Sequence, residues 1–556
     1  DTPLNAAKLG FKPLPGSKLP RFLGEFFSRV LHSDGTLLQA ADPVYVGVLR
    51  QLLFVYYKYE LPYTDTQEHS VLLKFEQTEK DLERSDAILR TYEETHSSFG
   101  RVRWRKAERL NPHQLIRTAR KSLYRLFSHF DPSDISPRHG PGAVATKQQH
   151  SAKYQWTNIS SRITDVYPID AYFRASAGHV CDTYRSFSTI GTKSLPARVI
   201  LVPKDSRGPR LISCEPVDFQ WVQQGLSKAI VRTVETSPLT RFNVFFTDQT
   251  PNQCGALLGS QAGKYSTLDL NEASDRVSTD LVRLLFPAHV FTYLEACRSL
   301  STVLPDGREL KLRKFAPMGS ALCFPIMALT IWALLSAGAP DEGTRESILV
   351  YGDDVIVTTA YAEDAMSILE SFGLKINRDK SCTKGLFRES CGCDAFKGVR
   401  VTPIRLRTVW TSAPRPESYT SWVSYANSFY DRKCFNVYDY IVKRLTNIYW
   451  PIANDSMNNS PTRLREAPDQ HRPTPKRWNK ALQRAEYRSL EVKPLKLTQV
   501  IDGWDMLLRY FTECEKPSGV VPTARNLTSE KVDVLSPFSV SQYTKRGSSI
   551  LVPRWR

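Results

Sequence analysis

Tyr351-Gly352-Asp353-Asp354 stands between two runs of strand-forming residues, Ile348-Leu349-Val350 and Val355-Ile356-Val357. Apolar, β-branched runs separated by a glycine-containing pair read as a β-hairpin, with Gly352-Asp353 as its two-residue turn. The hairpin therefore carries two adjacent carboxylates at its tip, which suits divalent metal and phosphoryl transfer. An isolated Gly-Asp-Asp is also ordinary turn chemistry on a solvated loop, so the rest of the chain has to decide.

A third carboxylate lies upstream. Tyr265-Ser266-Thr267-Leu268-Asp269-Leu270 reads as a strand ending in an aspartate, and Asn271-Glu272-Ala273-Ser274-Asp275 turns from it into a helix. Mg²⁺ takes oxygen ligands and is held by one or two carboxylates with waters and substrate phosphates. Asp269, Asp353 and Asp354 on two neighbouring strands are the expected ligands. Two ions about 3.5–4 Å apart can activate an attacking hydroxyl and stabilise a leaving oxygen. Helix capping and turn formation are the competing roles for these aspartates.

Phosphate also needs cations, and Val202-Pro203-Lys204-Asp205-Ser206-Arg207-Gly208-Pro209-Arg210 offers three on a punctuated loop. Lys204, Arg207 and Arg210 can lie along a triphosphate, Arg gripping oxygens bidentately and Lys acting as a mobile charge. A Walker-type phosphate loop is excluded at Gly259-Ser260-Gln261-Ala262-Gly263-Lys264-Tyr265. The glycine spacing there is one residue short, and Tyr265 stands where Ser or Thr must bind Mg²⁺. Between the acidic strands, the small residues of Ala316-Pro317-Met318-Gly319-Ser320 let backbone pass close to a nucleotide or template. After the hairpin, Ala362 to Phe372 has helical periodicity stopped by Gly373, and Leu374-Lys375-Ile376-Asn377 follows as a short strand with Lys380 beyond. Either Lys375 or Lys380 could protonate a departing pyrophosphate.

A chain of 556 residues predicts two to four subdomains. Its 75 Lys and Arg against 57 Asp and Glu, a net +18, favour a polyanionic partner, nucleic acid before membrane. Ten scattered cysteines include one close set, Cys382, Cys391 and Cys393, which lacks the spacing of a zinc site. Reduced thiols in a cytosolic protein are expected. No signal peptide is expected at an opening that carries Lys8 and Lys12 among prolines, and because the chain opens on Asp1, further residues are expected upstream. Ser320 to Ala339 has no charge, but Pro325, Thr330 and Ser336 favour a buried core helix over a membrane span.

Residues 1 to about 100 read as a helical and irregular layer. From Arg101 to Arg125 a basic stretch, including Arg103, Arg105, Lys106, Arg109, Arg117, Arg120 and Lys121, alternates with Trp104 and Tyr124 and suits phosphate binding or a solvated helix face. Arg138-His139-Gly140-Pro141-Gly142 forms a loop, with His139 structural. Asn454 to Trp478 reads as a long exposed connection, and the tail from Tyr543 to Arg556 is basic. No internal repeat is present.

The series of basic loop, Asp-ended strand, Gly-Ser loop and helix, Gly-Asp-Asp hairpin and Lys-bearing strand resembles the motifs of viral RNA-dependent RNA polymerases. Asp269-Leu270-Asn271-Glu272-Ala273-Ser274-Asp275, Tyr351-Gly352-Asp353-Asp354 and Gly385-Leu386-Phe387-Arg388-Glu389-Ser390-Cys391-Gly392 are similar to stretches of the replicase β subunit of single-stranded RNA bacteriophages, the leviviruses. Val202-Pro203-Lys204 and Glu215-Pro216 are similar too, and the likeness runs from about Leu201 to Arg400. The loop at Pro317–Leu322 departs from it, lacking the asparagine and second glycine expected after Met-Gly.

The resemblance implies an α+β right-hand polymerase with an antiparallel palm sheet backed by helices. Fingers would occupy 101–265, palm 266–400, and thumb with basic tail 401–556, after an N-terminal region at 1–100. Two Mg²⁺ ions, with Mn²⁺ as a substitute, would be held by Asp269, Asp353 and Asp354, with Leu270 in the metal set. Lys204, Arg207 and Arg210 would meet the triphosphate, and Asp275 with Gly319 and Ser320 would flank the nucleotide near its ribose. RNA template, product and NTPs are the implied partners, with host elongation factors Tu and Ts, a ribosomal protein, and the cytoplasm of an infected bacterium. A reverse transcriptase shares the palm logic, but Gly352 and the Leu386–Gly392 stretch favour the RNA enzyme. A silent RNA-binding relative would be expected to have lost a metal aspartate, and all three are present.

Overall fold

The computed structural model describes residues 12–98, 110–148, 151–450, 452, 463–465, 475–494, 503–513 and 549–555. After a single helical turn at Gly24–Ser28 come three longer helices: α1 (Pro43–Phe54), α2 (Asp65–Ser98) and α3 (Pro112–Leu126). At the start of α1, Asp42 accepts from Val44 N, and at the start of α3, Asn111 accepts from His113 N. Each satisfies an amide that the helix leaves unpaired, with proline fixing the first turn. Leu115, Ile116, Ala119, Leu123 and Leu126 of α3 are buried, while Arg117, Lys121 and Arg125 are exposed. That part of the basic stretch is the solvated face of an amphipathic helix. Arg101, Arg103, Trp104, Arg105, Lys106 and Arg109 lie outside the described residues.

The middle of the chain alternates strands with helices: β1 (Ala197–Asp205), β2 (Gly208–Cys214), α4 (Val217–Thr236), α5 (Thr250–Ala262), β3 (Tyr265–Leu268), β4 (Leu270–Asn271), β5 (Ser301–Val303) and β6 (Glu309–Lys311). β1 and β2 form a hairpin in a sheet of order β2-β1-β5-β6. Phe75 of α2 packs with Val199, Leu304 and Leu312, laying that long helix against this sheet.

α6 (Cys323–Gly338) follows, then β7 (Leu349–Tyr351), β8 (Asp354–Thr358), α7 (Ala362–Ser371) and β9 (Lys375–Ile376). Every residue from Pro325 to Ser336 is buried, as expected for a helix apolar on all sides. The main hydrophobic core gathers on α6, drawing on α3, α4, α7 and the strands β7 and β8. No helix among the described residues is long and apolar enough to cross a membrane. An antiparallel sheet of order β3-β8-β7 lies on this core, and β4 pairs with β9 beside it.

β10 (Phe387–Ser390), β11 (Cys393–Phe396) and β12 (Val399–Arg400) form a small antiparallel sheet, and Phe396 shares a core with Leu19, Phe27, Val46 and Leu49. α8 (Pro416–Asp431) and α9 (Phe435–Ile448) build a separate core from Tyr419, Trp422, Tyr438 and Val442. The last elements are β13 (Lys476–Asn479), β14 (Arg484–Pro494), α10 (Gly503–Glu513) and β15 (Ser549–Trp555), with sheet order β13-β14-β15. One expectation needs correction here. The end of the expected connection, residues 476–478, is strand, because Arg477 and Asn479 lock onto Glu486 across the hairpin. The tail is in part a strand too, its Ile550-Leu551-Val552 run pairing with β14. Most of residues 454–474 and the tail before Ser549 lie outside the described residues. The whole is α+β, with mainly antiparallel strands.

Candidate active site

Tyr351 pairs with Asp354 across the β7–β8 hairpin, leaving Gly352-Asp353 as the turn. Gly352 has φ +65°, the sign such turns require. A Cβ there would lie 2.1 Å from the ring of Phe324 at the start of α6. On the other side of β8, Leu268 pairs with Val355. One further step in that antiparallel register brings Asp269 level with Asp354. At Asp269 the chain changes partner: Asn377 N donates to Asp269 O at 2.9 Å, and Leu270 pairs with Ile376. Asp269 N donates to Ser381 Oγ (3.1 Å), and Asn377 Nδ2 donates to Asp269 Oδ2 (2.7 Å). The segment after β9 thus fixes the aspartate and places Lys380 Nζ 3.7 Å from its Oδ2.

The carboxylates share an electrostatic field. Asp354 is pushed up to about 7 by burial, then by the charges of Asp353 and Glu389, with Asp269 adding. Asp353 is also raised, first by burial; Asp269 adds to the shift, while Arg210 and Lys204 oppose it. Asp353 is nevertheless exposed, so the hairpin tip is open to a ligand from solvent. Across from it, Lys204 is lowered by burial and by Arg210, with Asp205 opposing. The β1–β2 hairpin therefore brings Lys204 and Arg210 to the aspartates. Arg207, on the same hairpin, is anchored locally. Its guanidinium is tied to Asp205 at 3.1 and 2.9 Å, although its charge also interacts with Asp269.

Among the described residues no three His, Cys, Asp or Glu side chains stand in a metal-ligand arrangement. The expected set is therefore a group of neighbours and not a closed cage. Like charges are most stable when spread, and Asp269 Oδ2 is engaged by Asn377 and Lys380. The donors still fit a divalent cation: all are carboxylate oxygens, and burial together with mutual repulsion raises Asp353 and Asp354, a cost a cation would relieve. The Leu270 side chain is buried, leaving only its carbonyl as a ligand.

Gly319 has φ +127°, and a Cβ there would lie 2.1 Å from Ser213 O of β2. Ser213 N donates to Met318 O at 2.8 Å, so the loop is strapped to the strand that carries Arg210. Ser320 Oγ and Ala321 N both donate to Gln223 Oε1, at 3.1 and 3.2 Å. Gln223 is fully buried on α4 and donates to Cys297 O at 2.7 Å. It also hydrogen-bonds Glu215, which burial pushes up to about 7. Sequence reasoning missed Gln223, and its one signal was the neighbouring Glu215-Pro216. Glu389, which acts on Asp354 and Asp269, was missed as well, although it lies in the Gly385–Gly392 stretch. Asp275 is raised by burial, with Lys314 Nζ at 3.9 Å opposing, and its charge also bears on Cys323, as does that of Asp353. Asp275 thus lies near the start of α6, in electrostatic reach of the same Cys323 as Asp353. Lys375 is exposed opposite Asn271, and its charge bears on Asp81 of α2.

The RNA replicase β-chain family profile matches residues 72–415, more than half of the chain and all of the site. The RNA-directed RNA polymerase subunit beta of Enterobacteria phage SP is 31% identical over 301 residues, 53% of this chain and 50% of that protein. The β chain of Enterobacteria phage fr is 30% identical over 50% of this chain and 45% of its own, and the β subunit of Qbeta virus strain MX1 is 35% identical over 38% and 35%. The match spans half or less of these relatives. Among solved structures, an RdRp complex aligns over 51% of this chain and 28% of its own at TM-score 0.31 and 12% identity, too loose for argument. With the profile running unbroken through Asp269, Asp353 and Asp354, the chain belongs to the RNA replicase β-chain family.

Proposed function

We propose that the chain is the catalytic subunit of an RNA-directed RNA polymerase that copies a viral RNA genome, joining ribonucleoside triphosphates with release of pyrophosphate. The observation that carries this reading is the meeting of Asp269, Asp353 and Asp354 with Lys204 and Arg210 in one field. In this reading residues 101–265 are fingers, 266–400 palm and 401–556 thumb of a right hand. Two Mg²⁺ ions, or Mn²⁺, on Asp269, Asp353, Asp354 and the Leu270 carbonyl would lower the charge on the attacking and leaving oxygens.

The chain's own residues do the positioning. Lys204 and Arg210 hold the triphosphate against the hairpin tip, and Arg207, set by Asp205, adds charge. Gly319 and Ser320 face the nucleotide on a strapped loop, and Asp275 lies towards its ribose. The RNA 3′-hydroxyl oxygen gives its proton to a solvent water and forms a bond to the α-phosphorus, while the bond from that phosphorus to the pyrophosphate oxygen breaks. Lys380 gives its proton to that leaving group; its place beside Asp269 favours it over Lys375. Kinship with phage replicases supports RNA and NTPs as partners, host elongation factors Tu and Ts and a ribosomal protein as companions, and an infected bacterium's cytoplasm as the setting.

The test is Mg²⁺-dependent nucleotide incorporation on an RNA template by the wild type and Asp353→Asn. Extension by the wild type alone, with ribonucleotides preferred, is expected. Equal activity in both, or preference for deoxynucleotides, would overturn the reading.

A further inference from the structure

The β13–β14 hairpin and β15 carry seven Lys and Arg against Glu486 and Glu491. The two faces of this sheet use their charge differently. On one, Arg477 donates to Glu486 Oε2 at 2.9 and 3.0 Å, Asn479 Nδ2 donates to Oε1 at 2.8 Å, and Arg477 also lies over the Trp555 ring. That face stabilises the hairpin internally.

The opposite face follows from the register. Lys476 pairs with Tyr487 and Trp478 with Ala485, so Lys476, Trp478, Ala485 and Tyr487 share one side. Ser489 continues it, and its partner across β15 is Arg554. Trp478 is 59% exposed and Tyr487 45%, which is unusual for side chains whose burial would stabilise a core. They are diagonal neighbours, and small Ala485 leaves the indole uncovered. Glu491 comes two residues beyond Ser489, at the end where Leu490 and Val492 pack on the α8–α9 core. The exposed end thus combines two aromatic rings with Lys476 and carries no acidic side chain among its described residues.

We propose that this face is a stacking platform for single-stranded RNA, a second RNA contact on the sheet packed against the α8–α9 core. Bases stack on Trp478 and Tyr487, and Lys476 and Arg554 meet the phosphates. A purely electrostatic surface would not need exposed rings, and an apolar protein-docking patch would not intersperse them with cations. The proposal deepens the polymerase reading by adding a hold on the strand that does not involve the carboxylates.

The test uses the full chain and a short fluorescent oligouridylate, with affinity read by anisotropy. Replacing both rings, Trp478→Ala with Tyr487→Ala, is expected to weaken binding about tenfold or more, since stacking contributes about 1–3 kcal/mol per base. The Phe pair, which keeps the π faces, should bind within about twofold of wild type. A blunt RNA duplex should show no difference. Unchanged oligouridylate affinity in the Ala pair, or equal loss on duplex, would overturn the proposal and leave a protein contact as the use of this face. Should the Ala pair not fold, photocrosslinking of wild type to a 4-thiouridine oligomer decides: label must map within residues 475–494, and its absence there would also overturn the proposal. Template extension at saturating RNA tests the polymerase reading separately. Extension without ring-dependent binding defeats the platform alone, and ring-dependent binding without extension defeats the polymerase alone.

Discussion

Lys380 Nζ lies 3.7 Å from Asp269 Oδ2, whereas Lys375 stands opposite Asn271 with its charge bearing on Asp81. The strand-to-turn passage through Asn377 makes this difference, because it bonds both the carbonyl and the carboxylate of Asp269.

If Lys380 is the proton donor, Lys380→Ala should slow single-turnover incorporation by about 100-fold, the scale of general-acid catalysis. Lys375→Ala should change the rate by less than about tenfold. The reverse order of effects would reassign the acid.

Gln223 joins Ser320 Oγ, Ala321 N and Cys297 O through one buried amide. Gln223→Leu would leave those groups without their partner, at about 1–3 kcal/mol each if none finds water. We expect its KM for NTPs to rise more than kcat falls, with ribose-over-deoxyribose preference reduced. Loss confined to thermal stability would make Gln223 a packing residue.

Much of the site was legible because it depends on local pattern. Strand residues around Gly352-Asp353 set the hairpin, and the uncharged run of Ser320–Ala339 set the core helix. Asp269, eighty-odd positions upstream, could be matched by strand composition alone. What could not be read were contacts made at long range. Lys314 stands 3.9 Å from Asp275, a partner that nothing in the local pattern around Asp275 indicates. Gln223 is an ordinary helical glutamine in sequence; its role arises only when α4 packs under the Ser320 loop. Strand pairing of Ser549–Trp555 with β14 needed the intervening chain to return, which no local signal announces.

Glu215 gives a pH prediction. Burial raises its carboxyl to about 7, so the folded chain favours the protonated form more than the unfolded chain does. Its stabilising contribution is present at low pH and is lost as pH rises from the unfolded value through about 7. Glu215→Gln keeps the acceptor for Ser299 and removes the titration. At pH 8 the variant should be more stable by about 1–3 kcal/mol, with little difference at pH 4. Denaturant melts across that range test it, and parallel wild-type and variant curves would refute it.

Gly352 and Gly392 have nearly equal φ, +65° and +69°, but only Gly352 faces a neighbour, the Phe324 ring at 2.1 Å from a built Cβ. Alanine at 392 should therefore cost only the left-handed strain, about 1–3 kcal/mol. Alanine at 352 adds displacement of the ring that supports the hairpin tip, and should lower both melting temperature and activity further. Equal melting temperatures would show that Phe324 yields freely.

The last prediction concerns the carboxylates without catalysis. Asp354 is pushed up to about 7 by burial and by Asp353 and Glu389, so its ionised form opposes folding as pH rises through that value. In metal-free buffer at pH 8, Asp354→Asn removes one of the repelling charges and should stabilise the chain by about 1–3 kcal/mol. Adding Mg²⁺ should reverse the ranking. The wild type gains stability by binding the ion in its folded state, while the variant, short of one donor, gains less. Thermal melts with and without Mg²⁺ measure both effects without any turnover. An equal Mg²⁺-induced rise in the two proteins would mean that the ion binds elsewhere, and Asp354 would then lose its place in the metal set.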